Sequence, residues 1–194
     1  WFDVEPGTNP GFLYQQNTMR DALVACLSLN IFNKHCDRVK MANIAQMVNV
    51  LQSVILTEGE KMLLTPTYYV FRMYRNHQNA QLLESYLETE EIGEGEDKIP
   101  NLSESVSMDE AGNIHITLGN LDPIQENVVE IQLSGNRINE VGATVLAGEM
   151  TGHNTFENSD EVVEKPFTDY EIADNGTLIV KVPGCCVMHL EIKN

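Results

Sequence analysis

Basic residues are scarce in this 194-residue chain: 12 Lys and Arg stand against 29 Asp and Glu, a net charge of −17. A field of that sign repels phosphate backbones and anionic lipid across a Debye length of about 10 Å, which argues against nucleic-acid and membrane partners. Long apolar runs are missing too; none approaches the roughly 18 residues of a membrane span. The four cysteines (Cys26, Cys36, Cys185 and Cys186) form no C-x-x-C pair, and no H-x-x-x-H pair accompanies them. They are therefore expected as reduced thiols, and neither a metal nor a cofactor is expected. Glycine-rich phosphate loops, serine elbows and dinucleotide fingerprints are also absent. Nothing resembles a signal peptide, and a chain opening on Trp1 instead of Met is expected to be a processed or truncated piece.

The charge that is present is unevenly spread. Residues 1–83 hold 7 basic and 6 acidic side chains, a balance of +1, whereas residues 84–194 hold 5 and 23, a balance of −18. The hydrophobic period changes at the same place, so two domains are expected, 1–83 and 84–194. In the first, WFDVEPGTNPGFLYQQ reads as a loop. Thr18 and Asp21 fit a capping box, and Leu23, Cys26, Leu27 and Ile31 fall at helical spacing, which predicts a helix over 18–34. Val39 to Ile44 (VKMANI) is short and mostly apolar without alternation, as in a strand buried on both faces of a parallel sheet. Asn49 to Leu64 reads as a linking stretch. Thr65-Pro66 then opens a helix over 65–80, with Val70, Met73, Tyr74 and His77 on its buried face.

Beyond residue 84 the period is two. Glu88 to Asp97 is an acidic, turn-rich loop. After it, Ile114-Ile116-Leu118, Val129-Ile131-Leu133, Leu178-Val180-Val182 and Cys186-Met188-Leu190-Ile192 alternate, separated by the turn signals Glu110 to Asn113, Ser134 to Asn136 and Asp174 to Gly176. That pattern predicts an antiparallel β-sandwich. The helix, buried strand and helix before it have the rhythm of an α/β barrel or doubly wound sheet.

The segments NTMRDALVA, FNKHCDRVKMANIAQMVN, LTPTYYVF and MTGHNTFENSDEV resemble the α-L-arabinofuranosidases of glycoside hydrolase family 51, over nearly the whole chain. The resemblance implies the last units of a (β/α)8 TIM barrel followed by the family's C-terminal sandwich. It also implies retaining cleavage of terminal α-L-arabinofuranosyl groups from arabinan and arabinoxylan fragments. Retention uses two carboxyl groups roughly 5–5.5 Å apart, one protonating the leaving oxygen and one attacking the anomeric carbon. On the family's pattern both glutamates lie ahead of Trp1, which makes this chain alone inactive. The resemblance implies a full-length enzyme that is a homo-oligomer, with a hexamer among the assemblies it allows, cytoplasmic in a bacterium, with arabinofuranosyl oligosaccharides as substrate.

Two residues carry the implied substrate binding. Gln46 follows the apolar run Val39 to Ala45, at the end of a barrel strand where such enzymes place their chemistry, and matches a family glutamine that hydrogen-bonds the sugar. Trp1 matches an aromatic on the leaving-group side, suited to packing on a sugar face. Asp3 and Glu5, adjacent in a loop, read as solvated, and Phe12, Leu13 and Tyr14 as anchors of that loop. Two alternatives stay open: an endoglucanase of the same family, or a non-catalytic carbohydrate-binding or interaction sandwich. The latter would need an aromatic platform, and residues 111–194 hold only Phe156, Phe167 and Tyr170.

Overall fold

The computed structural model describes residues 6–135 and 137–193; Trp1, Asp3 and Glu5 lie outside them. After a short 3₁₀ turn at Pro10–Phe12 come helix α1 (Met19–Lys34) and the strands β1 (Ile55–Glu58) and β2 (Lys61–Leu64). Helix α2 (Pro66–Tyr74) then tightens into a 3₁₀ turn at Arg75–His77. Strands β3 (Gln81–Leu82), β4 (Glu91–Ile92) and β5 (Ile99–Pro100) are brief. The longer ones are β6 (Leu102–Met108), β7 (Ile114–Asn120), β8 (Asn127–Ile131) and β9 (Val141–Ala147). The last are β10 (Lys165–Pro166), β11 (Tyr170–Ile172), β12 (Leu178–Val182) and β13 (Cys186–Ile192).

Two antiparallel sheets pack face to face, as the alternating segments predict. One has six strands in the order β10-β9-β13-β7-β6-β3, the other three in the order β11-β12-β8. Between them lie Ile116, Leu118, Val129, Leu178, Val180, Met188 and Leu190. Each comes from every second position of its strand, so the strand period of two sends all of them inward. The turn before β7 is held by Asp109, whose Oδ1 accepts the N–H groups of Ala111 and Asn113 at 2.9 Å each, while Gly112 takes φ +87°. Adjacent Cys185 and Cys186 fall in opposite cores, and all four thiols are free.

A third layer covers the other face of the six-stranded sheet. Helix α1 begins where predicted: the Asp21 carboxylate accepts the Thr18 N–H at 2.8 Å. The face it buries runs through Met19, Ala22, Leu23, Cys26 and Asn30. Ile31, expected on that face, is 55% exposed, because the stripe against the sheet is centred on Cys26. Helix α2 starts at Thr65-Pro66 and buries Val70, Met73 and Tyr74, but ends at Tyr74, before its expected limit at residue 80. The two helices meet the sheet closely enough that a Cβ on Gly119 would stand 2.8 Å from Cys26 Sγ.

Two expectations need correction. Residues 39–44 are not a strand; they run as an irregular, largely exposed segment. A parallel strand exists only through ladder hydrogen bonds to its neighbours, and among the described residues none lies alongside. Asn49 to Leu64, expected as a linker, instead contains the β1-β2 hairpin, paired from Ile55↔Leu64 to Glu58↔Lys61. Gly59, at φ +57°, is the first of its two turn residues, the position a type II′ turn reserves for glycine. Its strands do not alternate in hydrophobicity, and the period-two signal is silent there.

Candidate sugar-binding cleft

A cavity of about 710 Å³ is lined by Phe12, Leu13, Tyr14, Gln46, Asn49, Leu56 and Phe156 among others. Three chain segments build it. The 6–17 loop is fixed by Asn9, whose Oδ1 accepts the Gly11 N–H at 2.9 Å, and by Leu13 at φ +50°. The 46–51 segment is clipped to that loop by Leu51 N–H donating to the Leu13 carbonyl at 3.0 Å. It is also clipped to the hairpin: the Met47 carbonyl accepts from Ile55 N–H at 3.1 Å, and the Asn49 amide pairs with Thr57 through both its oxygen and its nitrogen, at 2.7 and 2.8 Å. Phe156 arrives from the long connection after β9.

Gln46 therefore stands on backbone tied down on both sides. Its side chain is exposed, and among the described residues its amide makes no hydrogen bond. Beside it are an exposed Phe12 and a part-exposed Tyr14. An amide that both donates and accepts, next to apolar ring faces, is an arrangement that fits a sugar. No carboxyl group lines this cavity among the described residues. The cavity therefore offers positioning groups but no described acid or nucleophile. Trp1, the other expected binding residue, lies outside the described residues.

A cluster of histidines sits elsewhere, where the 3₁₀ turn after α2 meets the six-stranded sheet. His77 contacts the Ser107 hydroxyl through Nδ1 at 2.7 Å and the Thr117 hydroxyl through Nε2. His115 and His189 stack with ring centroids 5.4 Å apart, and His115 Nε2 reaches Asp109 Oδ2 at 3.2 Å. Burial first, then the neighbouring imidazoles, push His77 and His189 down to about 4. Hydroxyl partners that can each donate or accept satisfy a neutral His77 ring at both nitrogens, so that ring is structural. No group of metal-ligating side chains occurs among the described residues. Burial also raises the Cys26 thiol to about 12 and Cys185 to about 11, which leaves both unreactive.

Residues 1–185 match the sequence profile of the α-L-arabinofuranosidase C-terminal domain. The chain belongs to that family. It is 45% identical, over its whole length, to an intracellular exo-α-L-arabinofuranosidase of Bacteroides ovatus, of which it spans 38%. The family 51 arabinofuranosidase structure from Xanthomonas axonopodis pv. citri superposes on all of it, with a TM-score of 0.94 at 40% identity, over 39% of that chain. A family 51 enzyme from Bifidobacterium longum follows at TM-score 0.84 and 26% identity, covering 94% of this chain and 36% of that one. The chain thus corresponds to the C-terminal part of family 51 enzymes and spans about two-fifths of their length. Phe156, like Asn49 and Leu56, lines the cavity without having been assigned there by sequence reasoning. It lies inside the segment that carried the family resemblance, yet nothing in its local pattern marks it as reaching a site more than a hundred residues away in sequence.

Proposed function

We propose that this chain is the C-terminal part of a retaining α-L-arabinofuranosidase acting on arabinofuranosyl oligosaccharides, with residues 1–83 completing a (β/α)8 barrel and residues 84–194 forming its sandwich. The observation that carries the proposal is the unpartnered amide of Gln46 at a cleft with aromatic walls. Gln46 holds hydroxyls of the arabinofuranosyl ring, and Trp1 lines the leaving-group side. The acid/base and nucleophilic carboxylates come from the preceding part of the barrel, so the 1–194 chain by itself does not hydrolyse arabinofuranosides. Support for a barrel comes from apolar side chains left facing outward: Val24, Ile31, Phe32 and Met41 are 38–77% exposed. A surface of that kind needs cover, which barrel strands beside residues 39–46 supply. No nucleic acid, membrane, metal or cofactor enters this reading; the full-length enzyme is a cytoplasmic homo-oligomer, with a hexamer as the assembly to test.

Hydrogen bonds that tighten as the oxocarbenium-like transition state forms contribute more than the roughly 0.5–1.5 kcal/mol of an ordinary neutral one. In the full-length enzyme, Gln46→Ala is expected to lower kcat/KM by about one to three powers of ten, with kcat falling as well, at an unchanged melting temperature. A variant that melts much earlier yet keeps normal kcat/KM while folded would make Gln46 a structural residue.

A further inference from the structure

The segment that brings Phe156 to the cleft is held far more firmly than a surface loop needs to be. The carbonyls of Gly152 and Met150 accept the N–H groups of Met19 and Arg20 at 2.9 and 3.0 Å, so the sandwich satisfies two of the orphan donors that open helix α1. Two residues before Phe156, the buried Asn154 donates through Nδ2 to the carbonyls of Leu64 and Val162 at 2.8 and 2.9 Å, and accepts the Val162 N–H at 2.7 Å. One side chain thus ties the end of β2 to both limbs of this connection. On its far side, Thr155 and Asn158 exchange backbone hydrogen bonds at 3.0 and 3.2 Å. Phe156 sits on the short arc between these anchors, in a fixed place.

Its ring borders two depressions. One is the Gln46 cleft. The other, about 300 Å³ and sharing Tyr14, Leu56 and Phe156 with the first, has polar walls: Gln16, Asn17, His153 and Glu157. Gln16 Nε2 lies 2.8 Å from His153 Nε2. Asn17, 4% exposed, has an Oδ1 with no hydrogen-bond partner, an orphan that buried polar groups seldom tolerate. A part-buried aromatic between an amide-bearing cleft and a second depression walled by amides, an imidazole and a carboxylate matches two linked sugars: one in each depression, with a C–H face against the ring.

We propose that Phe156 is a specificity-determining residue contributed by the sandwich, the platform for the sugar that follows the cleaved arabinofuranosyl group, with the Gln16, His153 and Glu157 side facing that sugar's hydroxyls. This rests on the Gln46 cleft holding the arabinofuranosyl ring. The sandwich is then part of substrate recognition, and no separate binding module on its outer face is required.

The test compares the full-length enzyme with its Phe156→Ala and Gln46→Ala variants on methyl α-L-arabinofuranoside, whose leaving group is too small to reach Phe156, and on an arabinofuranosyl trisaccharide. Phe156→Ala is expected to reduce kcat/KM for the trisaccharide, mainly through KM, by about 3- to 10-fold more than it reduces kcat/KM for the methyl glycoside. Phe156→Tyr should restore the trisaccharide rate, and Phe156→Leu, which keeps an apolar side chain without the ring, should not. The leucine variant also serves if the alanine variant folds poorly. Equal loss on both substrates, or no loss on either, overturns the proposal while Gln46→Ala remains impaired. If Gln46→Ala is itself normal on both, the reading of the cleft fails first, and this proposal fails with it.

Discussion

Both faces of the six-stranded sheet carry an apolar core, but only the helix-covered face, where Met19, Cys26, Val70 and Met73 meet Leu146 and Val187, adds a row of hydrogen-bonded polar side chains. Towards the smaller sheet, Ile116, Leu118, Met188 and Leu190 meet Val129, Leu178 and Val180, a core of apolar side chains with no directional bonds. Towards the helices the same strands present Ser103, Ser105, Ser107, Thr117 and His189. There Asn30 Nδ2 donates to Ser103 Oγ at 3.0 Å, Asn33 Nδ2 to Ser105 Oγ at 2.9 Å, and the Tyr74 hydroxyl to Asn30 Oδ1 at 2.5 Å. The first face is stabilised by area, about 1.5–3 kcal/mol for each large side chain fully buried. The polar row on the second adds less per contact, about 0.5–1.5 kcal/mol per hydrogen bond, but each bond fixes where a helix sits. The helix layer also carries the 6–64 segments that form the cleft, so the hydrogen-bonded face aligns the cleft with the sandwich loop bearing Phe156.

The sharpest break of this comparison is on the apolar side. Leu190 is fully buried, and Leu190→Ala is expected to cost about 2–5 kcal/mol in denaturant unfolding, independent of pH. The polar side should respond to acid instead. Folded His77 titrates near 4 against 6.5 for an unperturbed ring, so the unfolded chain binds protons first. Its contribution is therefore complete above pH 6.5, lost as pH falls from 6.5 towards 4, and constant below. The loss is about 3 kcal/mol, and His77→Gln should flatten the fall in melting temperature over that window. His189, displaced in the same direction, steepens the same fall, and Asp109, held down to about 2 chiefly by Asn113, extends it below pH 4. Gly119→Ala probes the close approach: its Cβ meets Cys26 Sγ, and a loss of about 1–3 kcal/mol is expected, partly recovered by adding Cys26→Ala.

The same comparison explains what could be read in advance. Every strand that alternates apolar and polar residues (β7, β8, β12 and β13) was legible, because one face packs on the apolar core. Strand β6, LSESVSM, hides its serines under helix α1, and from sequence these look like solvent-facing residues. β9, VGATVLA, has too little polarity to alternate. The capping box at Thr18 and the Thr65-Pro66 start are local signals, and both helices began on them. Residues 39–44 misled because an apolar run predicts burial, whereas a strand also needs neighbours. Gln46 entered as a candidate through its family motif; Phe156 did not, since the role proposed for it depends on Asn154 folding the connection back onto β2.

The most direct test of the account is a crystal structure of the full-length enzyme with an arabinofuranosyl oligosaccharide bound. It should show the Gln46 amide about 2.7–3.2 Å from a hydroxyl of the terminal arabinofuranosyl ring, and the next sugar laid against Phe156. An oligosaccharide bound in the catalytic barrel with Gln46 turned away from it, its amide instead bonded to backbone, would contradict the assignment of this cleft.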